Sequence, residues 1–135
     1  MAIKYSVAVR NAQLDALETA IGTGAVLKMR TGAPPATVAT ADSGTVLATL
    51  TLPSDWMAAA SSGSKAKTGT WEDMSADATG DAGHFRVYAS DGTTAHIQGT
   101  ITATSGGGDM ELDNISIAAA QAVTVTGFTI SAANS

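Results

Sequence analysis

The 135-residue sequence predicts a mainly β fold, an antiparallel β-sandwich or jelly-roll-like arrangement with one N-terminal α-helix, in a single domain spanning residues 1–135. Three observations predict it. Only one stretch, near the N-terminus, carries apolar residues at helical spacing. From residue 27 onward the apolar period is two. Roughly seven such short runs are separated by turns rich in Gly, Asp, Asn and Ser.

The helix is expected over about 6–21. Val7, Leu14, Leu17 and Ile21 fall on one stripe, with Asp15 and Glu18 off it. Asn11 is a candidate cap if the helix starts late, and Gly22 and Gly24 supply its stop. The β-region, about 25–133, begins where Leu27 and Met29 alternate with Lys28 and Arg30. It resumes where Val46, Ala48, Leu50 and Leu52 alternate with Leu47, Thr49 and Thr51. Between these strands lies an extended loop, 31–44, whose Pro34-Pro35 pair lacks two backbone donors and favours unpaired chain. A second irregular stretch precedes a strand around Thr68–Met74 that contains Trp71.

Two later runs carry a parity fault. Val123 and Val125 would point opposite to Phe128 and Ile130 unless a residue is inserted, and a bulge at Gly127 is the expected repair. Met110 and Leu112 stand in the same relation to Ile115 and Ile117, with Asp113-Asn114 at the break. For the hairpin "RVYASDGTTAHIQ", a three-residue Ser90-Asp91-Gly92 loop gathers Phe85, Val87, Ala89, Ala95, Ile97 and Ile101 on one face. His84, Arg86, Tyr88, Thr94, His96 and Gln98 then share an outer face, with Arg86 opposite His96 and His84 opposite Gln98.

Composition narrows the function. With 44% hydrophobic but only 4% aromatic residues, the core is expected to be built from Val, Ile and Leu. The absence of cysteine excludes disulfides, thiolate metal sites and thiol nucleophiles. A net charge of −5 argues against a nucleic-acid partner. Charge is uneven: residues 1–67 hold six Lys and Arg against four Asp and Glu, whereas residues 68–135 hold only Arg86 against eight acidic groups. Such lopsidedness favours oriented contacts with neighbours. No signal peptide and no run of eighteen apolar residues is visible, so a soluble protein made in the cytosol, with no membrane partner, is expected.

Apparent catalytic motifs fail on context. "SGSK" and "KTG", residues 62–65 and 67–69, match two β-lactamase-type elements, but these lie far apart in such enzymes. "GTGAVL" leaves a helix and enters a strand, the reverse of a dinucleotide fingerprint. Asp73, Asp77 and Asp81 lack the alternation of a calcium loop, and "NIS" at 114–116 means nothing without secretion. The two histidines share a face with Arg86 but have no third ligand. No catalytic residue, metal site or cofactor is therefore expected, and the chain reads as a non-enzyme.

The segments "VRNAQLDALETAIGTGAVLKMRTGAPP", "ADSGTVLATLTLPSDW" and "DATGDAGHFRVYASDGTTAHIQGTI" resemble small proteins encoded in the virion-structure modules of tailed bacteriophages and prophages. The most particular features are the helix from Arg10 to Gly22, the Arg30–Gly32 strand end and the Gly83–Tyr88 hairpin strand. The resemblance implies a virion structural protein, made in the host cytoplasm and located in the particle. A capsid decoration or cement protein on the head lattice comes first; a tail or head-tail junction protein is the alternative. A glycan-binding sandwich for host attachment ranks below both, because only Trp56 and Tyr88 could form its aromatic platform. Other virion proteins are the expected partners, and a homo-oligomer is expected, with the Pro34-Pro35 arm or the N-terminal segment reaching a neighbour. The candidate protein-contact surface is Pro34, Pro35, His84, Arg86, Tyr88, His96 and Gln98.

Overall fold

The computed structural model describes residues 3–135 and is mainly β with one helix. Helix α1 is Val7–Ile21. Strands follow as β1 Val26–Thr31, β2 Val46–Thr51, β3 Ser64–Ala66, β4 Trp71–Asp73, β5 Gly80–Tyr88, β6 Ala95–Ala103, β7 Met110–Leu112, β8 Ser116–Ile117, β9 Val123–Val125 and β10 Thr129–Ser131. The large sheet has the order β2-β1-β5-β6-β7, with β8 also on β5; β10 pairs with β3, and β4 with β9.

Period-two alternation gives the large sheet two unlike faces. Register places Leu27 beside Val87 and Leu50, and Met29 beside Phe85 and Ala48, and all of these are buried. Against this apolar face lies a run of aromatic rings. Trp56, Trp71, Phe128 and Phe85 follow one another at centroid distances of 6.0, 5.8 and 5.4 Å. Both indole N–H groups are satisfied, by Gly22 O and Thr68 O. The core therefore departs from the Val/Ile/Leu expectation: aromatics are few, but Trp56, Trp71 and Phe85 are among its largest fully buried side chains.

Helix α1 is capped by Ser6, whose Oγ accepts from Val9 N, and not by Asn11. It ends at Gly22, where φ is +87°. Only the C-terminal part of the expected stripe is in the core. Leu14 and Ile21 are buried and Leu17 is half-buried, whereas Val7 lies beyond the body and is 49% exposed. Much of the docking is polar. Asn11, Asp15 and Glu18 fall three and four residues apart on one face and accept the backbone N–H groups of Gly63, Ala60 and Met57 at 2.9, 2.9 and 2.6 Å. The buried Lys65 ammonium completes the joint at 2.7 Å from Asp15.

Sheet edges are closed by side chains and loops. At β2, Asp73 accepts Thr49 N, Asp77 accepts Thr49 Oγ1, and Leu47 O accepts Asp77 N. β7 runs parallel to β6 after only the short 104–109 loop, far less chain than a parallel crossover usually needs. The chain manages this by doubling back flat along β6. Gly108 N donates to Thr102 Oγ1, Asp109 N donates to Thr100 Oγ1, and a Cβ at Gly108 would lie 2.9 Å from Thr102.

Three details of the sequence reading are corrected. The hairpin register is two residues from the expected one: Arg86 faces Gln98, His84 faces Thr100, and Val87 faces Ile97. Asp91 causes this by accepting Thr93 N, Thr94 N and Thr94 Oγ1, which widens the turn, and His96 is the extra residue of a bulge before Ile97. Because the displacement is even, the face assignments of Phe85, Val87 and Ile97 are unchanged. Gly127 is not a bulge: β9 and β10 belong to different sheets, and the parity fault marks the switch. The break at Asp113-Asn114 likewise separates β7 from β8, and Asn114 Oδ1 accepts Ser116 N there.

Candidate functional site

Charge is concentrated and enclosed on the second face of the large sheet. Alternation puts Lys28 and Arg30 of β1 beside Arg86 and His84 of β5, and Gln98 of β6 beside Arg86. Cations this close repel one another, and the counter-charge comes from the segment between β1 and β2. Residues 32–45 fold back over the sheet as a strap and deliver Asp42 between the arginines.

Arg86, only 2% exposed, holds the strap by its whole fork. Nη1 donates to Asp42 Oδ1 at 2.7 Å, and Nη2 donates to Thr40 O at 2.9 Å and Thr37 O at 3.0 Å. Nε and Nη2 donate to Gln98 Oε1 at 3.1 and 2.8 Å, while the Gln98 Nε2 donates to Pro35 O at 2.7 Å. Arg30 Nη2 donates to Asp42 Oδ2 and the Tyr88 hydroxyl to Asp42 Oδ1, each at 2.8 Å. His84 Nδ1 lies 2.9 Å from Gly32 O. A carbonyl only accepts, so Nδ1 carries the hydrogen. Lys28 closes one end, 5.0 Å from the Tyr88 ring centroid and bonded to Gly92 O.

Burial opposes ionisation of Asp42, but the hydrogen bonds from Tyr88 and Arg86 and the charges of Arg30 and Arg86 outweigh it. They hold its carboxyl below the usual carboxylate range. Burial, followed by the bond to Asp42, pushes the Tyr88 phenol up. The anion is thus fixed as an anion, and the strap's inward carbonyls are paired with the Arg86 guanidinium. Chemically the arrangement is a clamp, with the charge of its two arginines partly offset from within the chain by Asp42.

The expected outer face is corrected in one respect. His84, Arg86 and Tyr88 do share it with Gln98, but the first three are buried beneath the strap and do not meet solvent. Pro34 and Pro35 are half-buried, and Pro35 is a clamp partner of Gln98. His96 stands apart, exposed at the bulge. Of the expected contact residues, the clamp brings together Pro35, His84, Arg86, Tyr88 and Gln98. Arg30 and Asp42, with Lys28 its other charged members, were absent from that set; the signal available was an isolated acid in a loop otherwise without charge that follows a strand bearing Lys28 and Arg30. Among the described residues, no cluster of three or more His, Asp or Glu side chains is placed to hold a metal ion. Comparison with known proteins finds no matching family model, no similar curated protein and no similar solved structure.

Proposed function

We propose that this chain is a non-enzymatic structural subunit of a tailed-phage virion, a decoration or cement protein seated on the head lattice, with a place in the tail or at the head-tail junction as the second reading. The observation that supports it is the clamp. A dense group of charged and polar side chains is consumed in pinning the chain's own strap, which gives a rigid scaffold and leaves no accessible acid–base pair there. The resemblance of the helix and hairpin segments to virion-module proteins points the same way. We further propose that the two small sheets form the second layer of a sandwich, because the Trp71–Phe128–Phe85 contacts join them to the apolar face of the large sheet. The glycan-binding reading loses its support, since Trp56 and Tyr88 are both wholly buried.

Protein mass spectrometry of gradient-purified particles from the encoding phage or induced prophage tests the proposal. Peptides of this chain at a copy number comparable to the major capsid protein are expected. Its presence in the lysate but not in washed particles would overturn the virion assignment.

A further inference from the structure

Two unpartnered apolar features complement each other. The first is a knob. Of the four exposed large hydrophobic residues among the described ones, three fall within the first nine positions: Ile3 at 71%, Val7 at 49% and Val9 at 44%. They flank the start of α1, where the chain is tied to the body by Tyr5 N donating to Asn134 O at 2.7 Å. The second is a groove of about 470 Å³ between the β6 side of the large sheet and β10, lined by Leu17, Val38, Ile97, Phe128 and Ile130, with Asp109 also on its wall. It opens onto partly buried core residues and has room for more than one aliphatic side chain.

Charge selects between possible occupants. Residues 92–108, which form much of the groove's β6 wall, contain no Asp, Glu, Lys or Arg, so a chain of net charge −5 can approach a like copy there with Asp109 as the one opposing carboxylate of the lining. The one acidic lining group, Asp109, complements Lys4, which adjoins Ile3 in the knob. Knob and groove are different patches of one surface, and a contact between different patches is heterologous: it propagates into rings or open chains instead of closing as a two-fold dimer.

We propose that the N-terminal knob of one copy, led by Ile3 and Lys4, seats in the β6–β10 groove of the next copy, so that identical subunits join head to tail. This deepens the structural-subunit reading by naming the contact through which copies meet.

Sedimentation velocity on the full chain over a concentration series, with two kinds of variant, tests it. Ile3→Asp disables the knob at a site with almost no folding role, and Val38→Asp disables the groove from the strap, with Ile97→Asp as a second groove variant. Wild type is expected to form concentration-dependent oligomers larger than dimers, and each variant alone to be a monomer. A mixture of knob-dead and groove-dead chains is expected to give one-to-one dimers and nothing larger, because each pair retains a single working contact. Circular dichroism confirms that the variants are folded. A wild type that stays monomeric at all concentrations, as when Ile3 fills its own groove, overturns the contact while leaving the particle-composition test untouched. Oligomers that persist in Ile3→Asp, or mixtures that assemble beyond dimers, also overturn it.

Discussion

Replacing Arg86 by Met measures what the clamp contributes. Methionine keeps most of the apolar stem, so packing against the sheet is largely preserved, while every guanidinium donor is removed. In the native protein that guanidinium satisfies Asp42 Oδ1, Thr37 O, Thr40 O and Gln98 Oε1. Removing one partner of a buried ion pair costs about 3–5 kcal/mol. Here the surviving partner, Asp42, has a side chain 36% exposed and keeps Arg30 at 2.8 Å, so water and a second cation reduce the penalty. An overall loss of about 3 kcal/mol is expected, lowering Tm by roughly 10 °C for a domain of this size. The loss is local, so amide exchange should show strap residues 32–45 losing protection well before β1 and β5. A Tm within about 2 °C of wild type, with strap protection unchanged, would refute the clamp.

Acid should release the same strap. Because the fold holds Asp42 below its ordinary value, the unfolded chain takes up the proton first; the contribution is complete above about pH 4 and is lost as pH falls through and below that value. Asp15 and Asp91 are lowered as well, so the informative measurement is the difference from Asp42→Asn, whose denaturant midpoint should fall less steeply between pH 6 and pH 3 than that of wild type. At the helix joint, Asp15→Ala leaves the buried Lys65 ammonium with only Glu18 at 4.0 Å and Ala60 N without its acceptor, whereas Lys65→Met removes the charge itself. Urea midpoints should fall further for Asp15→Ala although it breaks one ion pair and Lys65→Met breaks two. Val87→Asp places a charge at a fully buried position and should cost several kcal/mol, against less than about 0.5 kcal/mol for His96→Ala at the exposed bulge. Similar losses for the two would contradict the observed hairpin faces.

The sequence carried the local structure well and the long-range polar structure poorly. The helical stripe and the period-two runs located α1, β1, β2 and the β5–β6 hairpin, because burial of one face enforces those periods. The hairpin faces were legible for the same reason, while the register was not. Apolar alternation cannot distinguish a displacement of two residues, and the Asp91 carboxylate that widens the turn acts through its own local bonds. Parity faults at Asp113-Asn114 and Gly127 were visible, but their causes, a change of partner strand at the first and a change of sheet at the second, depend on which strands pair. The Arg86 clamp needed residues 37–42 to meet residue 86, a contact that leaves no periodic trace. Asn11, Asp15 and Glu18 did leave one, a polar stripe at helical spacing, but the N–H groups it caps lie in an irregular loop that has no period of its own.

Cryo-electron microscopy of the intact particle tests the central claim most directly. Density for this fold is expected on the outer surface of the head lattice, repeated with the lattice symmetry, with the strap still seated on its own sheet over Arg86. Density confined to the tail or the head-tail junction would replace the decoration reading by the second one, and a particle with no density for the chain would contradict a virion role altogether.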